Sequence, residues 1–164
     1  MTMNNKVPAR CQWEHPTDKD RGTHFEGLVS LPMKSNTGCS EEFALQTKTA
    51  LWLDDMRDPS VGQWKQLIQL RAPEADNVRW VKSYDEFVRV FPEIIAETNT
   101  QLIAVFFDND LGIGREGRHA FSWMEECVRE SGLDVFGLYA QTANPAARQE
   151  LMLGFGSLRR YWRR

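Results

Sequence analysis

The chain has 164 residues and a mass of 19.0 kDa, the size of one ordinary domain, which excludes a large multi-domain enzyme. Hydrophobic residues make up 41% of the chain and charged residues 26%, which is too apolar for a disordered protein and too charged for a membrane-spanning one. The net charge of -3 gives no overall attraction to nucleic acid or anionic lipid, so a polyanionic partner needs a local basic patch.

The first 46 residues differ in composition from the rest of the chain. They are rich in Thr, Ser, Asn, Gly and Pro and contain one short strand-like run, from Gly27 to Leu31. We interpret residues 1–46 as an N-terminal extension that is ordered only in part. Residues 47–156 are predicted to form the folded domain. Residues 157–164, with four arginines around Tyr161 and Trp162, are predicted to form a basic aromatic C-terminal tail. This tail is either a terminal helix whose aromatic rings dock on the sheet or a segment that binds a phosphate backbone.

Short apolar runs alternate with helical patterns throughout the predicted domain. The runs predict four strands, at residues 50–53, 78–81, 102–107 and 135–140. The third run has six consecutive apolar residues, which is typical of a strand covered on both faces. Ser83 with Glu86 forms a capping box before the second helix, and Asn144 with Pro145 predicts the start of the fourth. This alternation predicts an α/β fold, a parallel sheet of about four to five strands with helices on both faces.

Four aspartates follow two of the predicted strands. Asp54 and Asp55 end the first strand, and Asp108 and Asp110 end the third. In a flavodoxin-like order, 2-1-3-4, these strands are neighbours about 4.8 Å apart, and a crevice opens at their carboxyl ends. Aspartates after strands often only cap turns, but two acidic pairs at one crevice repel each other and favour a divalent cation. We predict that all four hold Mg²⁺ or Mn²⁺, with open positions that a phosphate can fill.

Further residues around the same crevice are candidates for binding an anion. Thr142 ends the fourth strand, and Asn144 begins the next helix, whose N-terminus presents backbone donors. Arg57 and Arg148 can clamp a phosphate with two N–H groups each. Gly112 opens a glycine-rich loop that allows the backbone to close over the crevice. These five residues are therefore the predicted ligand-binding set.

Three segments around this crevice resemble the motifs of a known family. Residues 53–59, LDDMRDP, resemble an LDD-x-R-x-P start; residues 107–112, FDNDLG, an LDHDLG loop; and residues 142–148, TANPAAR, an HSANP-x-x-R segment. These are motifs of the cyclic-phosphate processing receivers, small receiver-like domains of bacteria and phages, and the resemblance covers about residues 49–153. It implies a receiver-like fold, an acidic metal-binding pocket, and a role in handling cyclic or nucleotide phosphates in phage–host conflict.

Two positions depart from these motifs. Asn109 and Gln141 stand where the family has His, which removes two imidazoles that can act as general acid or base near pH 7. In addition, no fifth strand ending in Lys is apparent in the sequence. This argues against the reversible aspartyl phosphorylation of response-regulator receivers.

The sequence leaves two functions open. The first is a metal-dependent protein, an enzyme or a sensor, that binds or processes a cyclic nucleotide or another small phosphate ligand. If it is a phosphoesterase, the candidate catalytic residues are Asp108, Asp110 and Thr142. The second is a non-catalytic, phage-encoded binding module that grips a host protein or, less favoured, nucleic acid through the N-terminal extension and the basic tail. The complete set of aspartates favours the first function, and the missing imidazoles favour the second.

The cysteines and the first residues of the chain indicate a compartment. The three cysteines, Cys11, Cys39 and Cys127, are an odd number at irregular separations. The first ten residues contain no apolar run resembling a signal peptide. We therefore expect a protein of the reducing cytoplasm with no membrane partner.

Overall fold

The computed structural model describes residues 46–163 of the chain. Strands and helices alternate along this segment, as the sequence pattern predicts. In chain order they are β1 (Thr47–Leu53), α1 (Gly62–Arg71), β2 (Asn77–Val81), α2 (Tyr84–Ala96), β3 (Thr100–Phe107), α3 (Gly117–Ser131), β4 (Gly137–Ala140) and α4 (Pro145–Trp162). The predicted N-terminal extension lies outside the described residues, apart from Gln46.

These strands form one parallel sheet in the order β2-β1-β3-β4. β1 and β3 are therefore neighbours, and Leu53 pairs with Phe107 at their carboxyl ends. Phe107 in turn pairs with Ala140 of β4. The predicted α/β fold is confirmed, and the segments that follow β1, β3 and β4 leave the sheet side by side.

Each face of the sheet is covered by its own hydrophobic core. On one face α2, α3 and α4 pack on the sheet, through fully buried residues such as Phe87, Met124 and Phe155. On the other face, of the described helices, α1 packs alone, with Ile68 against the fully buried Trp52. Full burial of one large apolar side chain contributes about 1.5–3 kcal/mol relative to exposure. Because β1 and β3 are covered on both faces, their apolar runs show no alternation.

Two helix starts form as the sequence predicts. Ser83 Oγ accepts a hydrogen bond from the N–H of Glu86 at 3.2 Å, where α2 begins. Asn144 Oδ1 accepts from the N–H groups of Ala146 at 3.1 Å and Ala147 at 3.2 Å, where α4 begins. Each such cap contributes about 1 kcal/mol. The Asn144 cap fixes the start of α4 close to the carboxyl end of β4.

α4 continues through most of the predicted basic aromatic tail. Residues 157–162 belong to this helix. The Trp162 ring lies 5.1 Å from the Phe136 ring, and Trp162 Nε1 donates to the Leu133 carbonyl at 2.9 Å. The aromatic part of the predicted tail therefore packs on the domain. Neither α4 nor any other helix within residues 46–163 is long and apolar enough to cross a membrane.

Candidate metal and phosphate site

Asp54, Asp55 and Asp108 meet at the carboxyl ends of β1 and β3. Asp54 follows β1 directly and is fully buried, and Asp108 follows β3 directly and is 3% exposed. Asp55 is half-buried beside them. Each residue can present one carboxylate oxygen, and these oxygens lie within 4.8 Å of one another. We call these three residues the acidic cluster; they are three of the four predicted metal ligands.

The Asp54 carboxylate is oriented by the turn that follows β1. Its Oδ1 accepts hydrogen bonds from the backbone N–H groups of Met56 at 3.0 Å and Arg57 at 2.7 Å. The Asp54 carbonyl also accepts from Trp80 Nε1 at 2.6 Å, which ties this turn to β2. Hydrogen bonds to a charged carboxylate are strong, so the Asp54 side chain is held in one orientation.

The Arg57 guanidinium lies between the two buried carboxylates. Its Nη1 is 3.3 Å from Asp54 Oδ2 and 3.3 Å from Asp108 Oδ2. The same nitrogen donates to the Gln141 carbonyl at 3.2 Å, and the guanidinium carbon lies 5.1 Å from the centre of the Trp64 ring. Arg57 was predicted to bind a ligand, and the structure places it against the acidic cluster.

The pKa of Asp108 is raised above its ordinary value in the folded protein. Burial raises the pKa of the Asp108 carboxyl, and the charge of Asp54 raises it further. Arg57, the Asn109 N–H at 2.8 Å from Asp108 Oδ1, and the Thr142 hydroxyl lower this pKa, without offsetting the rise. An additional positive charge at the cluster would therefore stabilise the ionised Asp108.

The loop after β3 separates Asp110 from the other three aspartates. Asp110 is exposed and lies outside the acidic cluster; its Oδ1 accepts from Asn109 Nδ2 at 3.5 Å. Gly112 has a φ of +71°, and a Cβ on it would lie 3.3 Å from Asp55 Oδ2. The glycine therefore lets the backbone pass beside the third carboxylate of the cluster.

The residues after β4 form the side of the site next to Asp108. Thr142 is fully buried, and its Oγ1 accepts from the N–H of Asn144 at 3.2 Å. Arg148 is exposed, and its Nε and Nη2 donate to the Thr142 carbonyl at 3.3 and 2.9 Å. The Asn144 side chain caps α4. Asn144 was predicted to bind a ligand, and its observed role is to position the N-terminus of this helix. Thr142 therefore lies beside Asp108, and Arg148 is held next to Thr142.

Gln141 is a site residue that was not among the predicted ones. It is 8% exposed, and its Nε2 donates to the Leu53 carbonyl at 3.2 Å. Its Oε1 is buried and has no hydrogen-bond partner among the described residues. Such an acceptor costs about 1–3 kcal/mol unless a donor reaches it. The signal in the sequence was its position, directly after β4 and before Thr142.

The parallel sheet, with aspartates after β1 and β3 and a threonine after β4, defines a receiver-like domain. A family model described as Cyclic-phosphate processing Receiver domain matches residues 49–155. The chain belongs to this family, and the resemblance of its three motifs is confirmed. No curated protein and no solved structure matches the chain significantly.

Proposed function

We propose that this protein holds Mg²⁺ or Mn²⁺ at the acidic cluster and uses the ion to bind the phosphate of a small ligand such as a cyclic nucleotide. The observation that carries the proposal is the charge balance. Three carboxylates share one small volume, and among residues 46–163 Arg57 is the one cation paired with the two buried ones. A divalent cation balances the excess negative charge, and oxygen ligands suit Mg²⁺.

The residues that bind the phosphate in this proposal come from the segment after β4. The Thr142 hydroxyl faces Asp108, and the Arg148 guanidinium is positioned by the Thr142 carbonyl. The N-terminus of α4 adds the positive end of a helix dipole, which favours anions. When bound, the ion supplies positive charge to phosphate oxygens. Thr142 and Arg148 orient the phosphate beside it.

The side chains around the cluster favour binding over hydrolysis. Asn109 and Gln141 are buried amides, and an amide cannot act as a general base at neutral pH. Asp110 is the exposed carboxylate of the loop and the remaining candidate for accepting a proton. A metal-dependent phosphoesterase is therefore the alternative to a binder, and turnover decides between them. The proposed biological setting is phage–host conflict.

Titration of the full chain with MgCl₂ and MnCl₂, followed by melting curves, tests the metal site. We expect the ion to raise the melting temperature, because it binds the folded state. Asp108→Asn should abolish most of this rise, whereas Asp134→Asn, an exposed carboxylate outside the cluster, should retain it. A wild-type melting curve that neither ion changes would overturn the proposal.

The same samples then test the phosphate part of the proposal. With the ion present, Arg148→Ala should weaken binding of a cyclic dinucleotide by about 1.5–3 kcal/mol, the scale of a lost charge-assisted hydrogen bond. Arg160→Ala on the same helix is the control and should change little. Chromatography of the incubated ligand shows whether it is hydrolysed. If the protein binds neither the ion nor the ligand, the result would point to a non-catalytic module with a host protein as its partner.

A further inference from the structure

A groove of about 680 Å³ opens between α1 and α4, over the edge strand β4. We call it the arginine groove, because four of its lining residues are arginines and none is acidic: Arg57, Arg71, Arg148 and Arg159. Sites for small ligands typically have volumes of about 300–1,000 Å³. The groove is therefore large enough for one or two nucleotides.

Three of the four arginines of this groove carry unbalanced charge. Within residues 46–163, Arg71, Arg148 and Arg159 form no ion pair. Arg159 Nη2 donates to the Leu138 carbonyl at 3.2 Å, a contact that orients the guanidinium without neutralising it. Three exposed arginines elsewhere, Arg89, Arg118 and Arg129, are each paired with a glutamate. Three unpaired cations in one concave surface favour a ligand with several negative charges.

An aromatic ring lies among these cations. Tyr139 is half-buried, and one face of its ring stacks on Phe106, with the ring centres 4.8 Å apart. The guanidinium carbon of Arg71 lies over the Tyr139 ring, 5.9 Å from the ring centre, and the Tyr139 hydroxyl donates to the Arg71 carbonyl at 2.8 Å. Because β4 is the edge strand, Tyr139 is the outer ring of the stacked pair. Arginine beside an accessible aromatic ring is typical of surfaces that bind single-stranded nucleic acid.

The charge and the ring together indicate the class of ligand. A chain of acidic residues such as polyglutamate would match the charge of the groove but has no ring to stack on Tyr139. A nucleotide chain supplies both phosphates and bases, so the charge and the ring favour it.

We propose that the arginine groove binds a short single-stranded oligonucleotide. Arg71, Arg148 and Arg159 contact its phosphates, and a base stacks on Tyr139. Arg148 is shared with the proposed function of the acidic cluster, but this binding needs no metal ion, so a test in EDTA distinguishes the two.

Fluorescence anisotropy with a labelled single-stranded hexanucleotide tests the phosphate contacts, using the full chain in EDTA. Three contacts predict that the logarithm of the binding constant falls with the logarithm of salt concentration with a slope of about -2. The double variant Arg71→Gln/Arg159→Gln should reduce this slope to about -0.7 and weaken binding at low salt at least ten-fold. Arg160→Gln/Arg163→Gln, with the same change in net charge outside the groove, should leave both unchanged.

An equal loss in the two double variants would overturn the proposal, because the attraction would then be general. No measurable binding of the hexanucleotide at low salt would overturn it as well.

The ligand itself tests the base contact, without relying on a protein variant that must fold. A hexamer of abasic sugar phosphates, with the same charge, should bind wild type at least five-fold more weakly, because stacking is lost. Tyr139→Leu, checked by its melting curve, should bind the base-bearing hexamer as weakly as the abasic one. Equal binding of both hexamers by wild type, or equal binding of a hexaglutamate peptide, would overturn the proposal.

Discussion

The Asp108 carboxylate lies in an environment that disfavours its own charge. Burial raises its pKa, and the Arg57 guanidinium opposes this rise only in part. A side chain that lowers the stability of the fold when ionised is typical of functional sites. A cation bound at the acidic cluster would remove this cost, so metal binding and folding stability should be coupled at this residue.

Asp108→Asn measures the cost in the absence of any ion. The folded-state pKa of Asp108 lies above the unfolded value of about 3.9, so the folded state binds the proton more tightly. The stability of wild type should therefore fall as the pH rises from about 4 through the raised pKa, and stay lower at neutral pH. In EDTA at pH 7 the variant should therefore be more stable than wild type.

Urea unfolding of both proteins across this pH range checks the prediction, and the difference should shrink below about pH 4. Asp134→Asn, which removes an exposed carboxylate, should show no such pH-dependent difference. A wild type more stable than Asp108→Asn at pH 7 would contradict the argument.

The aspartates that end β1 and β3 could be predicted, because buried apolar runs end at acidic pairs. Asp110 lies outside the acidic cluster because β3 ends at Phe107 and the chain bends at Asn109. The strand alternation that would place the side chains of residues 108 and 110 on the same side therefore stops before Asp110. The signal for Gln141 was its position after β4 alone, because an uncharged amide there does not itself indicate a role. What distinguishes Gln141 is that its buried Oε1 has no hydrogen-bond partner among the described residues, and only the folded structure shows this.

At the scale of elements, α3 begins in direct contact with the backbone of the site. The N–H of Gly117 donates to the Asn109 carbonyl at 2.9 Å, and a Cβ on Gly117 would lie 1.7 Å from the Asp108 carbonyl oxygen. Any side chain at this position must displace α3 or move Asp108. The position of the helix and the geometry of the acidic cluster are therefore fixed together.

Gly117→Ala should destabilise the domain by at least about 2 kcal/mol and weaken Mg²⁺ binding, because overpacking moves Asp108. Gly156→Ala in α4 is the matched control. A Cβ there meets only Arg160 Nη1, at 3.5 Å, so alanine should be neutral or stabilise by up to about 1 kcal/mol. Urea unfolding measures both variants, and equal destabilisation of the two would refute the close-approach argument.

The end of α4 shows what a local pattern can and cannot place. The sequence predicts a basic aromatic tail from residue 157 and leaves open whether it is a terminal helix that docks on the domain. The helix runs through Gly154 and Gly156 to Trp162. A Cβ on Gly154 would lie 2.3 Å from a ring carbon of Phe121, so this glycine is required by packing against α3. The contact between α3 and α4 requires glycine at position 154, and the local sequence pattern does not indicate this contact.

At the scale of the whole molecule, the segment that follows residue 46 contains two hydrophobic cores and the acidic cluster. We therefore expect that deletion of residues 1–46 leaves a folded domain that responds to Mg²⁺ as the full chain does. Circular dichroism and a cooperative melt with and without the ion check this. An insoluble or molten truncated chain would show that the deleted residues supply part of the sheet or of a core.

The direction of the strands also determines where a label can be attached far from the acidic cluster. β1 has 7 residues, so its first residue, Thr47, lies about 20 Å from the acidic cluster that follows its last. All neighbouring strands run the same way, so the amino ends of the sheet lie together at the edge opposite the cluster. A biotin or a fluorophore attached at position 46 would start from that opposite edge. The protein can therefore be anchored to a sensor surface there while the cluster faces the solution.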